Sequence, residues 1–443
     1  MNLKTPLVLF LVFTGLNIGL LNAQENAIGD SKKNTENYYS DNYLRYDNHV
    51  YNKNIKTALL HLESDPLSFP NISLNSEQTL LLSFDDFETD LKTYVYTFIH
   101  CNANWEPSDL RDNDFINGFN INYLKDYEYS INTRQSYIHY WASFPNQNIA
   151  FTKSGNYIIK VYEDGKADKP IITKRFVIFE NKVIVEAQVK RPVNVNYRNN
   201  KQQVDFKINY AGYNVLNPNE DLNVIILQNH RWDNAVKNIK PRFIAGTELF
   251  FDQFEENTFY GGNEFRHFDI KNLRFQTERI ASIVKDSLNY VYLMADQSRA
   301  TQRYSSSPDI NGKFLVKNQL GYTSDYDADY VWINFKLNCP EIFTDGNLYV
   351  YGGLSNWIFS NDYKMAYDYD SKSYLTSIYL KQGYYNYNYV FLKDGSKSGD
   401  ETVLEGSFFD TENDYTILVY HKEPGKNFQK LIGYTNINSR KTY

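Results

Sequence analysis

The sequence has little sulfur. Of its 443 residues, two are cysteine and three are methionine. Cys101 and Cys339 stand in segments that we assign to different domains, so they cannot form a zinc site built on cysteine pairs. Because an unpaired cysteine is among the most buried residue types, we expect two buried free thiols rather than a disulfide.

The common catalytic and cofactor motifs are also missing. The chain has no G-x-S-x-G, no H-E-x-x-H, no G-x-G-x-x-G and no glycine-rich phosphate loop ending in G-K-[ST]. The seven histidines are scattered, and no two of them are spaced i, i+4. We therefore predict a protein that is not an enzyme, with no metal site and no cofactor.

Acidic residues outnumber basic ones, 53 to 46. The formal net charge is -7 and no extended basic stripe interrupts it, which argues against nucleic-acid binding. Residues 1–23 contain Lys4, the apolar run "PLVLFLVFTGLNIGLL" and the small residue Ala23. They predict a cleaved signal peptide and an exported protein. No later stretch is apolar enough to span a membrane.

Aromatic residues are abundant, with 39 Tyr and 29 Phe, and they favour pleated sheets. After a polar arm at residues 24–54, short alternating strand patterns recur between turn residues. In "NYIIKVYED", for example, Tyr157, Ile159 and Val161 share one face. We predict an all-β chain of three consecutive immunoglobulin-like β-sandwiches over residues 55–180, 181–325 and 326–443.

Two charged clusters resemble a metal-binding or catalytic site, but we interpret both as structural. The acidic run Ser324–Tyr330 lacks the Gly and Glu of a calcium loop, so we predict a solvated linker. In "GGNEFRHFDIKN", strand alternation puts Glu264 and Arg266 on one face and His267 and Asp269 on the other, which predicts two local ion pairs.

Three residues remain as candidate contacts. Arg231 and Trp232, in "LQNHRWDNAVKN", belong to the residue types that dominate protein interfaces, although a Trp at this position can also cap a core. Trp357, after the turn Gly352-Gly353, could stack on a sugar or contact a protein, or it could be core. The row Tyr385, Tyr387, Tyr389 and Phe391 follows strand alternation and predicts a buried aromatic row opposite a polar one.

Several phrases together resemble a known family. They include "LLLSFDDFETDLKTYVYTFIHCNANWEPSDL", "FTKSGNYIIKVYEDG", "QNHRWDNAVKNIKPRF" and "EGSFFDTENDYTILVYH". The chain resembles, over about residues 55–440, the plug protein of the bacterial type IX secretion system.

The resemblance implies a non-catalytic periplasmic protein that binds the periplasmic end of the outer-membrane β-barrel translocon and closes its pore when no cargo is engaged. It supplies no catalytic residues. The segment around Trp357 also resembles a glycogen-binding-type carbohydrate module. The alternative is therefore a glycan-binding protein of the cell envelope.

Overall fold

The structure is a computed structural model that describes residues 43–252 and 255–440. The predicted signal peptide and most of the predicted arm lie outside the described residues. From Tyr46 onward, the described residues belong to one compact unit. Within the described ranges, no helix is long and apolar enough to cross a membrane.

The first sandwich contains two facing sheets. In order across the larger sheet, the strands are His49–Val50, Pro170–Phe179, Gly155–Glu163, Tyr94–Cys101 and Asn122–Leu124, with Asn71–Ser73 also paired to Pro170–Phe179. The smaller sheet runs Ile55–Leu62, Leu80–Asp86, Ile138–Phe144 and Asp126–Tyr129, and Ile116–Gly118 pairs separately with Ile149–Phe151. Tyr157, Ile159 and Val161 enter the core between the sheets, as their alternation predicted.

The second sandwich combines strands from two distant parts of the chain. One sheet runs Ile184–Lys190, Lys201–Asn209, Glu248–Phe251 and Phe243–Ala245, with Thr258–Tyr260 also paired to Lys201–Asn209. The other sheet runs Val236–Lys237, Leu222–Gln228, Asp414–His421 and Lys430–Asn438. Val224, Ile226, Ile417 and Val419 face the same core.

The third sandwich is inserted between the two halves of the second. Gly383–Lys393 pairs with Arg266–Asp269, Phe314–Val316 and Gly346–Tyr351. The opposite sheet runs Ile280–Lys285, Asn289–Leu293, Tyr330–Asn338, Ser373–Lys381 and Ala366–Asp368, with Asp296–Gln297 paired to Tyr330–Asn338.

The aromatic row is buried in the third sandwich, as predicted. Tyr385, Tyr387 and Tyr389 lie in its core. Asn386 and Asn388 on the opposite face are buried too, and Asn386 Oδ1 accepts a hydrogen bond of 2.6 Å from the backbone of Ile310.

The all-β sandwich prediction is confirmed, but the sheets divide the chain differently from the predicted boundary at residues 325/326. Strand Leu222–Gln228 pairs with Asp414–His421 along seven residues, so the second sandwich is closed by strands from beyond the third. Strands between residues 266 and 297 belong to the third sandwich. The two paired strands lie on either side of the inserted third sandwich in the sequence. Local sequence patterns do not indicate which distant strands pair with each other.

A separate apolar core joins the first two sandwiches. It contains Ile158 and Val177 from the first sandwich and Ile225, Leu418 and Tyr420 from the second. These strands are therefore apolar on both faces, one facing a sandwich interior and the other this junction.

Cys101 also lies in this core between the first two sandwiches. Both cysteines are free and buried, as predicted. Burial raises the pKa of the Cys101 thiol to about 12.

The helices of the described residues are short. The α-helices there are Asp112–Phe115, Pro218–Asp221, Ser324–Asp327 and Thr402–Glu405. The 3-10 turns are Val195–Tyr197, Gly353–Ser355 and Asn361–Tyr363.

Candidate functional site

Arg231 is buried in an ion-pair cluster. Its guanidinium donates to Asp233 at 2.8 and 3.0 Å and to Glu401, from the third sandwich, at 3.2 Å. Burial alone would lower the pKa of Arg231, but the two carboxylates raise it well above its usual value. With 3% of its surface exposed, Arg231 joins two sandwiches and is not presented to a partner.

Trp232 packs over the core between the first two sandwiches. Its ring meets that of Trp105 edge to face at 5.0 Å. The Arg175 guanidinium lies 4.4 Å from the Trp105 ring and 5.5 Å from the Trp232 ring. This is the cap arrangement that the sequence left open, and its cation–π contacts add to the apolar packing.

Trp357 is half-buried in the third sandwich. Its ring lies edge to face against Tyr351 at 5.5 Å and Phe265 at 6.0 Å. Gly312, at φ +77°, passes so close that a Cβ there would come within 2.4 Å of the Trp357 ring. Glycine is needed at that position on both counts, and the Trp357 ring packs against Gly312, Tyr351 and Phe265.

Trp232 and Trp357 nevertheless meet at one cavity. The cavity has a volume of about 150 Å³ and lies where all three sandwiches come together. Its polar lining includes Lys174 and Arg175 of the first sandwich, His230 of the second, and Lys313 and Asn356 of the third.

These polar groups of this junction cavity are buried, as Lys174 is, or half-buried. Lys174 is 6% exposed and its Nζ donates to Asn356 Oδ1 at 2.5 Å. Burial lowers the pKa of Lys174 to about 7. The His230 ring stacks on Phe69 at 4.7 Å, and burial, followed by the charge of Lys313, lowers its pKa to about 3. His230 is therefore neutral at physiological pH.

A second polar cluster joins the first and third sandwiches. Asp85 of the first sandwich accepts hydrogen bonds from Lys381 and Tyr330 of the third, each at 2.6 Å, and lies 2.6 Å from His139 Nδ1. Asp85 and Lys381 are each 1% exposed or less. No sequence pattern indicates this cluster, because its members are distant in the chain and carry no motif.

The predicted local pairing around Arg266 is wrong. Arg266 pairs with Asp296 at 2.7 Å and Glu405 at 2.9 Å. Glu264 instead pairs with Arg440 at 2.6 Å. His267 stacks on Tyr384 at 5.6 Å and Asp269 pairs with Lys271 at 3.0 Å. All four residues of the predicted cluster thus make separate structural contacts.

The acidic run Ser324–Tyr330 is also not a simple solvated linker. Asp329 is buried and accepts hydrogen bonds from the backbone of Arg134 at 3.1 Å and from Asn289 Nδ2 at 3.0 Å. It therefore anchors the first sandwich to the third. Across residues 43–252 and 255–440, no group of three or more His, Cys, Asp or Glu is placed to hold a metal ion.

An exposed apolar row lies at one edge of the first sandwich. It consists of Phe119, Ile121, Tyr123, Tyr129 and Ile131, each between 47% and 76% exposed. These residues lie in or beside Asn122–Leu124 and Asp126–Tyr129, the outermost strands of the two sheets. We call them the edge row.

These features describe an all-β protein of several sandwiches whose buried charged clusters connect its modules. Residues 55–180 match the family described as the type 9 secretion system plug protein, first domain. A crystal structure of a hypothetical protein from Parabacteroides merdae ATCC 43184 is similar, with 31% identity and a TM-score of 0.86, covering 89% of this chain and 100% of that one. The chain belongs to the type IX secretion system plug protein family.

Other comparisons add nothing to this assignment. A putative membrane anchored protein from Corynebacterium diphtheriae is 9% identical and aligns over 86% of this chain and 90% of its own. Its TM-score of 0.13 does not indicate a shared fold. No curated protein matches the chain.

Proposed function

We propose that this chain is a non-catalytic periplasmic plug. It binds the periplasmic end of the outer-membrane β-barrel translocon of type IX secretion and closes its pore while no cargo is engaged. The match of residues 55–180 to the plug family carries the proposal. The export signal predicted at residues 1–23 agrees with a periplasmic location.

The architecture is suited to closing a pore without chemistry. Buried contacts tie the sandwiches together, through Asp85 and Lys381 and through Arg231 and Glu401. Such contacts resist the rearrangement of modules that would open a gap in a plug. Because closure must be reversible, we expect an interface of ordinary size, about 1,200–2,000 Å² in total.

The edge row is our candidate contact surface with the translocon. Arg231 is buried among carboxylates, and Trp232 packs on Trp105, so neither serves as a free anchor. The edge row is instead accessible, rich in aromatic side chains and inside the family-matched segment. Exposed apolar rows of this kind mark interaction sites.

The alternative glycan-binding function has less support. Sugar stacking requires an open ring face, whereas Trp357 is half-buried among Tyr351, Phe265 and Gly312.

The first test is drug sensitivity in a deletion strain. Loss of the protein should admit large antibiotics through the open translocon, and removal of the translocon barrel as well should abolish the leak. A deletion without a leak, or a leak that persists without the barrel, would refute the plug function.

The second test addresses the surface. The double variant Phe119→Glu, Ile121→Glu should fold normally, because both side chains are exposed, yet lose copurification of the barrel. Leu216→Glu, at an equally exposed position in the second sandwich, is the matched control. If the double variant copurifies the barrel as well as the wild type does, the edge row is not the contact.

A further inference from the structure

The junction cavity is of a size that takes one small chemical group. Its volume of about 150 Å³ matches cavities known to accept a single benzene ring. A nucleotide or a folded peptide segment would not fit. Its walls are partly aromatic, with Phe69, Trp232, Phe314 and Trp357.

The charged side chains that line this cavity are all basic. Lys174, Arg175 and Lys313 line it, and no Asp or Glu of the described residues does. This is notable in a chain with a net charge of -7. Lys313 has Asp414 at 4.0 Å, and the Arg175 Nε donates to the backbone of Tyr46 at 2.7 Å.

Lys174 differs from these two cations. It is nearly fully buried, its hydrogen bond goes to the neutral amide of Asn356, and no carboxylate of the described residues lies within ion-pair distance. Burying an ammonium group without a counter-charge is costly. An anion entering the cavity would supply that charge.

We infer that the junction cavity binds a carboxylate group, with Lys174 as its cation and the rings of Trp232 and Trp357 beside its apolar part. One buried ammonium matches the single charge of a carboxylate better than the double charge of a phosphate. The carboxylate could belong to a free small acid or to the end of a polypeptide. The inference does not rest on the plug function.

Such binding would be sensitive to pH. Burial lowers the pKa of Lys174 to about 7, so the ammonium form becomes scarce above that pH. The other ionisable groups lining the cavity are His61, Arg175, His230 and Lys313. His230 stays neutral in this range, so we expect a carboxylate to bind more tightly at pH 6 than at pH 9.

The test is isothermal titration of the purified protein with matched acids and amides. Benzoate should bind at pH 6 and quench fluorescence of the cavity tryptophans, whereas neutral benzamide of the same shape should not. N-acetyl-Gly-Phe with a free carboxyl end is titrated beside its amide. Tighter binding of this peptide acid than of benzoate would indicate a polypeptide end, and the reverse order would indicate a free small acid. Failure of both acids to bind, or equal binding of acid and amide, would overturn the inference.

A variant pair locates the site. Lys174→Met keeps the length of the side chain but removes its charge, and it should weaken binding of the better acid by about tenfold to hundredfold, the range of a charge-assisted hydrogen bond. Lys182→Met, at an exposed lysine, should bind like the wild type. If Lys174→Met binds the acid as tightly as the wild type does, the assignment is wrong.

Discussion

Replacing Lys381 by Met should break the polar contact between the first and third sandwiches. The change leaves the Asp85 carboxylate buried beside His139 and Tyr330 without its ammonium partner, 2.6 Å away in the wild type. Removing one member of a buried ion pair typically costs about 3–5 kcal/mol. We therefore expect the free energy of unfolding to fall by about that amount.

Urea unfolding measures this loss, and a double-mutant cycle assigns it to the pair. Asp85→Asn combined with Lys381→Met should cost less than the sum of the single changes by more than about 1 kcal/mol, because contacting groups couple. The matched control is Lys393→Met, which breaks a surface pair with Asp345 at 3.5 Å and should cost at most about 1 kcal/mol. Equal costs at Lys381 and Lys393 would refute the reasoning.

The same pair should depend on pH in a defined direction. Burial alone would raise the pKa of Asp85, but Lys381, followed by His139, lowers it below its usual value. A carboxyl with a depressed folded pKa contributes stability above its unfolded pKa, near 4, and loses it as the pH falls through the folded value. The stability difference between wild type and Lys381→Met should therefore shrink on acidification below pH 4; a constant difference would contradict this.

Three further outcomes follow from the other contacts. Trp357→Ala should lower the free energy of unfolding by about 3 kcal/mol without changing migration in starch affinity gels; retardation of the wild type that the variant loses would instead support glycan binding. Arg231→Met leaves the largely buried carboxylates of Asp233 and Glu401 without their cation and should cost about 3–5 kcal/mol in urea unfolding, whereas a loss under 1 kcal/mol would show that the cluster is not needed. Cys101 and Cys339 should resist a thiol reagent until the protein unfolds, because both are buried; rapid labelling of the native protein would contradict their placement.

Local patterns in the sequence predicted the class of fold well. Strand alternation at Tyr157, Ile159 and Val161 placed these side chains correctly in the first core. The aromatic row from Tyr385 was correctly interpreted as core. Both results depend on the period of two, which is a property of neighbouring residues.

The relation between modules could not be predicted in this way. Ile158 faces away from its own sandwich interior, yet it is buried against the second sandwich. An apolar residue on the outer face of a strand is compatible with solvent or with a neighbouring module, and alternation does not distinguish them. The Asp85–Lys381 contact was missed for the same reason.

The candidate site was only partly accessible to sequence reasoning. Trp232 and Trp357 were singled out for their residue type, and the structure brings both to one cavity. Lys174, which lies in an ordinary strand pattern, gave no signal. Its burial follows from the meeting of three sandwiches, and no local rule reports that.

The insertion of the third sandwich imposes an order on the assembly of the chain. The first sandwich is built from one continuous stretch, and so is the third. The second sandwich needs Asp414–His421 to pair with Leu222–Gln228, so it cannot close until the chain beyond the whole inserted module is available for pairing. Its half-finished sheet, lined by Val224 and Ile226, stays open during that time, and unpaired apolar edges of this kind invite aggregation.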